Sequence, residues 1–373
     1  MDYEYIDRPE RLQEVVDRLR GEPLLGADTE AAGYHRYFDR LSLVQLSTRG
    51  ENYLIDPQAV GSLAPLAALF GDRGIEKIFH DADYDLRILD RDAGLSLAGL
   101  FDTQIAAAFL GERSLGLGNV VEKYLGIRLP KEFQRADWAE RPLSAGMKEY
   151  AATDTAHLPD LRDRLRAELE SRGRLHWAEE EFLRREQTRW GEPDDARQAF
   201  MRMKGARDLP PRGLAILREL HEWREGVARE RDQATFRVLS NQALLEMSAR
   251  PPADERALRG VSGISEGMAQ RRGREIMAAL RRGLAVPDDE LPRYPRAPRW
   301  ERDLELEERV ERLKQARNRR ADQVELDAGF LMSRSTLEDV ARALPRSLEA
   351  LAQVPGVRRW QVEAFGEQLL RAM

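Results

Sequence analysis

The chain is organised around Leu24-Leu25-Gly26-Ala27-Asp28-Thr29-Glu30, an apolar run that ends in two carboxylates separated by one residue. A short apolar run of this kind predicts a strand, and successive side chains of a strand point to opposite faces. Asp28 and Glu30 therefore project from one face, and two acids on one edge ask for a cation. An isolated Asp-x-Glu marks no more than a strand leaving the core for a polar turn. Later segments give it another meaning. In Phe79-His80-Asp81-Ala82-Asp83-Tyr84-Asp85-Leu86, an apolar run gives way to an amphipathic helix with Asp85 in its first turn. In Tyr150-Ala151-Ala152-Thr153-Asp154, a phenol and a carboxylate stand at helical spacing on one face.

Four carboxylates from three separate elements, with a tyrosine one turn from the last, are what a two-metal phosphodiester cleavage site requires. Hard divalent ions take oxygen ligands and keep positions open for water and phosphate. One such ion lowers the pKa of the attacking water and the other stabilises the leaving oxygen, while a tyrosine hydroxyl can orient the water. The constellation resembles the DEDD superfamily of 3'→5' exonucleases, in the subgroup with tyrosine at the third motif. Asp28 and Glu30, then Asp85, then Tyr150 and Asp154 follow its order across about 130 residues. The resemblance implies catalytic roles for all five. It also implies two Mg²⁺ or Mn²⁺ ions held by Asp28, Glu30, Asp85 and Asp154.

At 373 residues the chain predicts two or three domains, and 42% hydrophobic with 34% charged residues describes globular domains with a heavily charged surface. The absence of cysteine excludes disulfides, thiolate zinc sites and a cysteine nucleophile, and suits a reducing compartment. The N-terminus lacks the basic and apolar regions of a signal peptide, and no apolar run approaches membrane-spanning length. A cytoplasmic protein without a membrane partner is expected. The net charge of -6 is unevenly spread: residues 1–200 hold 27 Lys and Arg against 38 Asp and Glu, leaving 33 against 28 in residues 201–373. The acidic half carries the proposed metal ligands, and the basic half is the better candidate for a phosphate backbone.

Hydrophobic spacing predicts a helix over 10–20, strands over 24–29, 41–47 and 52–55, a helix over 63–70, a strand over 77–80, a helix over 84–93 and a strand near 97–101. A hairpin unit followed by βαβ steps is an α/β layer arrangement and fits a ribonuclease H-like mixed sheet with flanking helices. Helices follow over 105–110, 117–125 and 145–171, the last interrupted near 156–158 because Pro159 removes a backbone donor. Asp81 and Asp83 read as caps of the helix carrying Asp85, and Asp102 as the cap of the next.

The stretch Lys131-Glu132-Phe133-Gln134-Arg135-Ala136-Asp137-Trp138-Ala139-Glu140-Arg141-Pro142-Leu143 resembles the ribonuclease D family specifically. Lys131 and Arg141 are candidate substrate contacts beside an acidic centre, as is His80 after its strand, whereas Trp138 reads as a core anchor. The C-terminal half contains a repeat. Shifting by 93 residues brings Ser240 onto Ser333, Leu244 onto Leu337, Leu258 onto Leu351, Gly263 onto Gly356 and Gly273 onto Gly366. Each copy resembles an HRDC domain, a small all-α module. The expected organisation is an exonuclease domain over 1–190, a linker over 191–208, HRDC-like domains over 209–284 and 301–373, and a proline-rich linker over 285–300.

Two departures from the family pattern stand out. Ala31 follows Glu30 where many members have a larger apolar residue that wedges against the terminal base, with Tyr34, Tyr37 and Phe38 the aromatic residues at hand. The second repeat has Ala316 where the first has Trp223. The resemblance implies a 3'→5' exoribonuclease that releases mononucleotides from single-stranded RNA 3' ends, with tRNA precursors as substrates. A DNA exonuclease of the helicase-associated type shares the chemistry. A catalytically silent RNA-binding scaffold is the alternative of another class, but it has no need of clustered, mutually repelling carboxylates.

Overall fold

Residues 24–31 form the strand the sequence predicts, and it lies inside a mixed sheet. The computed structural model describes residues 1–191, 196–295 and 303–373. Parts of the expected linkers over 191–208 and 285–300, and the start of the second helical domain at 301, lie outside the described residues. Strands β1 (Glu4–Ile6), β2 (Leu24–Ala31), β3 (Leu41–Ser47), β4 (Asn52–Ile55), β5 (Glu76–Phe79) and β6 (Leu100–Asp102) pair in the order β1-β4-β3-β2-β5-β6. The β2-β3-β4 meander is antiparallel, and β1, β5 and β6 add in parallel.

Every residue of β3 is buried, because helices cover both faces of the sheet. On one side Val44, Leu46 and Ile55 share a core with Leu12, Val15, Val16 and Leu19 of the Pro9–Leu19 helix. On the other, Leu43 and Leu54 pack with Trp138, Met147, Ala151 and Ala152. Trp138 is 2% exposed, a core anchor as expected.

The long helical segment is broken where Pro159 requires: Ala145–Ala156 ends, and Leu158–Ser171 begins with the proline in its first turn. Gly26 makes this junction possible, since a Cβ there would stand 2.8 Å from the Thr155 carbonyl oxygen and 3.2 Å from Leu158 Cβ. The helix end carrying Asp154 thereby lies directly against β2.

Other elements depart from the sequence reading. The strand expected near 97–101 is confined to Leu100–Asp102, because Gly99 adopts a left-handed φ of 75° and Leu95 and Leu97 are buried from a loop instead. The helix expected over 63–70 is split into a 3-10 turn, Ala64–Leu66, and a short helix, Ala67–Phe70. Strand β1 is too short to show alternation, and the Leu175–Arg185 helix also lies outside the sequence reading.

The repeat is structural. Ser240 caps the Asn241–Ala249 helix and Ser333 caps Arg334–Ala343 through the same side-chain bond to the third residue on. Gly263 and Gly356 share a left-handed backbone, with φ of 87° and 86°. The two copies nevertheless meet the α/β domain differently. In the first, Trp223 and Tyr37 pack against one patch of Val227, Ala228 and Val238, so Trp223 lies where the 33–38 loop docks. In the second, Phe330 and Trp360 close on Phe109 and Trp177 of the α/β domain, with centroids 4.8 Å (Phe109–Phe330), 4.9 Å (Phe109–Trp360) and 5.9 Å (Trp177–Trp360) apart. Glu180 accepts from the Arg359 and Trp360 amides at 2.9 Å, and Glu181 from the Trp360 indole at 2.8 Å. With its docking surface elsewhere, the second copy has no use for a tryptophan at Ala316. Trp360→Ala should lower stability by about 3–5 kcal/mol, the cost of emptying a well-packed aromatic site. Urea unfolding followed by tryptophan fluorescence checks it, and a change below about 1 kcal/mol would contradict this account of the docking.

Candidate active site

The period of β2 places Asp28 and Glu30 on the face covered by the Ala145–Ala156 helix. That helix supplies Tyr150 and Asp154, one turn apart. Ligand oxygens of Asp28, Glu30 and Asp154 lie within 4.8 Å of one another. Asp85 reaches them by another route. β2 pairs with β5 only through Gly26, so farther along the Thr29 amide faces no strand on that edge. The Thr29 N–H donates to Asp28 Oδ1 at 2.9 Å and to Asp85 Oδ1 at 3.1 Å, and its hydroxyl donates to the same Asp85 oxygen.

The electrostatics describe a site short of positive charge. Burial, and then the charge of Asp154, push Asp28 up to about 7, and burial pushes Asp154 up to about 7 against the hydrogen bond it accepts from Tyr150. Burial and the neighbouring carboxylates hold Glu30 well above the usual carboxylate range. Asp85 is raised by burial and by Asp28. Burial, Asp154 and Glu30 raise the Tyr150 hydroxyl, which keeps its proton at neutral pH. Oxygen donors at this spacing fit hard divalent cations, whose charge removes the repulsion.

A cleft of about 280 Å³ opens beside the cluster, lined by Asp28, His80, Lys131, Gln134, Tyr150 and Asp154 among others. His80 Nδ1 is hydrogen-bonded to Thr103 Oγ1 at 2.8 Å, and Nε2 is buried. Burial lowers its pKa and favours neutral imidazole. Lys131 is exposed at the cleft wall. Arg141 is not brought into the cleft. It clamps Asp56 at 2.7 and 2.9 Å and donates to the Ser42, Trp138 and Glu140 carbonyls, which leaves none of its nitrogens for a substrate. Asp81 and Asp83 do not cap the helix carrying Asp85, since Asp81 has a φ of 61° and Asp83 pairs with Arg87 and Arg185. Asp102 accepts from the Asp81 and Ala82 amides and also caps its own helix.

Thr29 escaped the sequence reading because alternation sends it to the face opposite Asp28; the signal was its position between two acids. Of the three aromatic residues after Ala31, Tyr37 is half-buried in the docking patch, whereas Tyr34 and Phe38 are 43% and 39% exposed.

The 3'-5' exonuclease family model matches residues 3–170 and the HRDC domain model matches residues 213–280 and 307–373. A ribonuclease D from Acidiphilium cryptum is 34% identical over 371 residues, covering 98% of this chain and 92% of the relative. The chain belongs to the ribonuclease D family. Ribonuclease D of Escherichia coli is 33% identical over 293 residues, 78% of each chain. Its crystal structure, described as that of an exoribonuclease involved in structured RNA processing, superimposes with a TM-score of 0.70 at 28% identity, covering 100% of this chain and 98% of that one. A crystal structure of a protein from Bifidobacterium adolescentis gives 0.78 at 29% identity, over 99% and 96% of the chains. The protein is thus a 3'→5' exonuclease of the ribonuclease D type, and no helix among the described residues is long and apolar enough to cross a membrane.

The raised carboxyls fix a pH dependence in metal-free protein. Folded Asp28 and Asp154 bind protons up to about pH 7, whereas unfolded carboxyls release theirs near pH 4. Between those values the folded state binds more protons, so stability is greatest at the acidic end and falls as pH rises through 7. Thermal unfolding in EDTA should show Tm falling from about pH 5 to 8, and Asp154→Asn should flatten the fall. A Tm that rises across that window, apart from any change in the rest of the chain, would contradict the electrostatic account.

Proposed function

We propose that this ribonuclease D trims RNA from the 3' end, releasing mononucleotides by two-metal-ion hydrolysis, with cytoplasmic tRNA precursors as its substrates. In this reading residues 1–190 are the nuclease and residues 209–284 and 301–373 the HRDC-like domains. One observation carries it: ligand oxygens of Asp28, Glu30 and Asp154 converge within 4.8 Å, and Thr29 ties Asp85 to Asp28.

Divalent ions bound by these four carboxylates would neutralise phosphate charge and ease deprotonation of the attacking water. Tyr150 keeps its proton and donates to Asp154, leaving its oxygen lone pairs to accept from that water and aim it. Lys131 at the cleft wall offers a cation to a phosphate. Neutral His80 lines the same cleft and forms part of its wall against the nucleotide.

Purified protein given 5'-labelled single-stranded RNA and DNA of matched sequence should produce a descending ladder on RNA with Mg²⁺ or Mn²⁺ and none in EDTA. A ladder on DNA alone would refute the substrate assignment. Asp28→Ala, Glu30→Ala, Asp85→Ala and Asp154→Ala should each abolish cleavage while leaving metal-free stability unchanged or raised, and near-normal turnover in any of them would contradict the metal-site reading. Tyr150→Phe deletes only the hydroxyl and should lower kcat by roughly tenfold to a thousandfold with KM little changed. A raised KM at normal kcat would instead make Tyr150 a substrate-binding residue.

A further inference from the structure

The first helical repeat and the nuclease domain meet at more than the buried patch around Tyr37. Beside it Tyr34 of the nuclease domain and Phe236 of the repeat stand with ring centroids 5.5 Å apart. They are 43% and 51% exposed, so about half of each residue's surface stays open to solvent beside the contact between the domains. The Arg237 guanidinium lies 5.5 Å from the Tyr34 ring and 5.7 Å from the Phe236 ring. The Arg135 guanidinium lies 5.7 Å from the Tyr34 ring as well. Phe38, 39% exposed, carries Arg40 at 4.9 Å and with Phe236 lines a groove of about 730 Å³. None of Arg40, Arg135 and Arg237 forms an ion pair with an acid among the described residues, whereas Arg36 and Arg91 nearby do.

This aromatic and cationic strip joins the catalytic cleft. Lys131 and Gln134 line the cleft, and Arg135 follows at once. The loop is pinned to residues 34–36, with His35 Nε2 2.8 Å from the Arg135 carbonyl oxygen and Arg36 paired to Asp137 at 2.7 Å. The repeat is pinned to the same loop by the Ala234 amide on the His35 carbonyl at 2.9 Å and the Phe38 amide on Asp232 at 3.0 Å. Four residues of chain bound the Glu30–Tyr34 Cα separation to about 14 Å. At the ~3.4 Å rise of a stacked strand this allows at most about four nucleotides.

Exposed rings interleaved with guanidinium groups that no carboxylate neutralises form the surface on which unpaired bases stack while the backbone is neutralised. We propose that Tyr34 and Phe236, with Arg135 and Arg237, form a platform shared by two domains that holds the unpaired RNA just upstream of the nucleotide being removed. The proposal rests on the exoribonuclease reading and adds a consequence: the enzyme measures the length of the unpaired 3' tail. The second repeat cannot substitute, because the positions of Phe236 and Arg237 hold Gly329 and Phe330 there, and Phe330 is turned into the docking cluster.

The test uses the full-length protein and RNA hairpins whose 3' tails are about two or about ten nucleotides long, the longer within the span of known single-strand grooves. Wild type should show the lower KM on the long tail. Tyr34→Ala and Phe236→Ala should each raise that KM roughly fivefold to a hundredfold, as loss of one stacked base does, with kcat and the short-tail KM unchanged. Tyr34→Phe and Phe236→Tyr keep the rings and should behave as wild type. Absence of tail-length discrimination in wild type, equal losses on both tails, or failure of the ring-preserving variants would overturn the platform. Metal-dependent cleavage of the short tail by wild type tests the underlying exoribonuclease reading on its own, since that reaction does not need the platform.

Discussion

Mutual repulsion among desolvated carboxylates is the constraint around which the nuclease domain is built. Asp28, Glu30, Asp85 and Asp154 all have raised pKa values, so without a cation each resists ionising beside the others. Such a cluster persists only where the scaffold over-determines its position. Three backbone features do so here: the register of β2 sets Asp28 and Glu30 on one face, the close approach at Gly26 brings up the helix end bearing Asp154, and the Thr29 amide anchors Asp85. A divalent cation held there would relieve the repulsion, and this would couple fold to metal binding.

The two helical repeats show how one architecture can be attached in two ways. Their caps, their left-handed glycines and their buried leucines coincide under the 93-residue shift. Their surfaces do not. Phe330 and Trp360 of the second repeat correspond to Arg237 and Gly267 of the first, so one copy merges its core with the nuclease domain while the other leaves a ring and a guanidinium exposed at the seam. Apolar area decides attachment, and exposed rings with cations are free for a polyanion.

Much of the site was legible because it rests on local periodicity. The period of two puts Asp28 with Glu30, and the four-residue spacing puts Tyr150 with Asp154, whatever the rest of the chain does. The interruption at Pro159 and the mixed sheet followed in the same way from residue chemistry and element order. Arg141 was misread because charge near an acidic centre says nothing of which partner wins: Asp56, a buried helix cap far away in sequence, takes the guanidinium. The caps at Asp81 and Asp83 failed similarly, because other partners take them: Asp102 from the neighbouring strand holds the Asp81 and Ala82 amides, and Arg87 and Arg185 hold the Asp83 carboxylate.

The sequence by itself determined which side chains share a face, where helices must stop, and that the C-terminal half is one module written twice. Those facts need only the geometry of a single strand or helix. The tertiary structure alone decided which faces meet: that Thr29 holds Asp85, that Arg141 belongs to Asp56, and that Tyr34 and Phe236 stand side by side across about 200 residues of chain. Contacts between distant segments depend on how all the layers pack at once, and no local period encodes that.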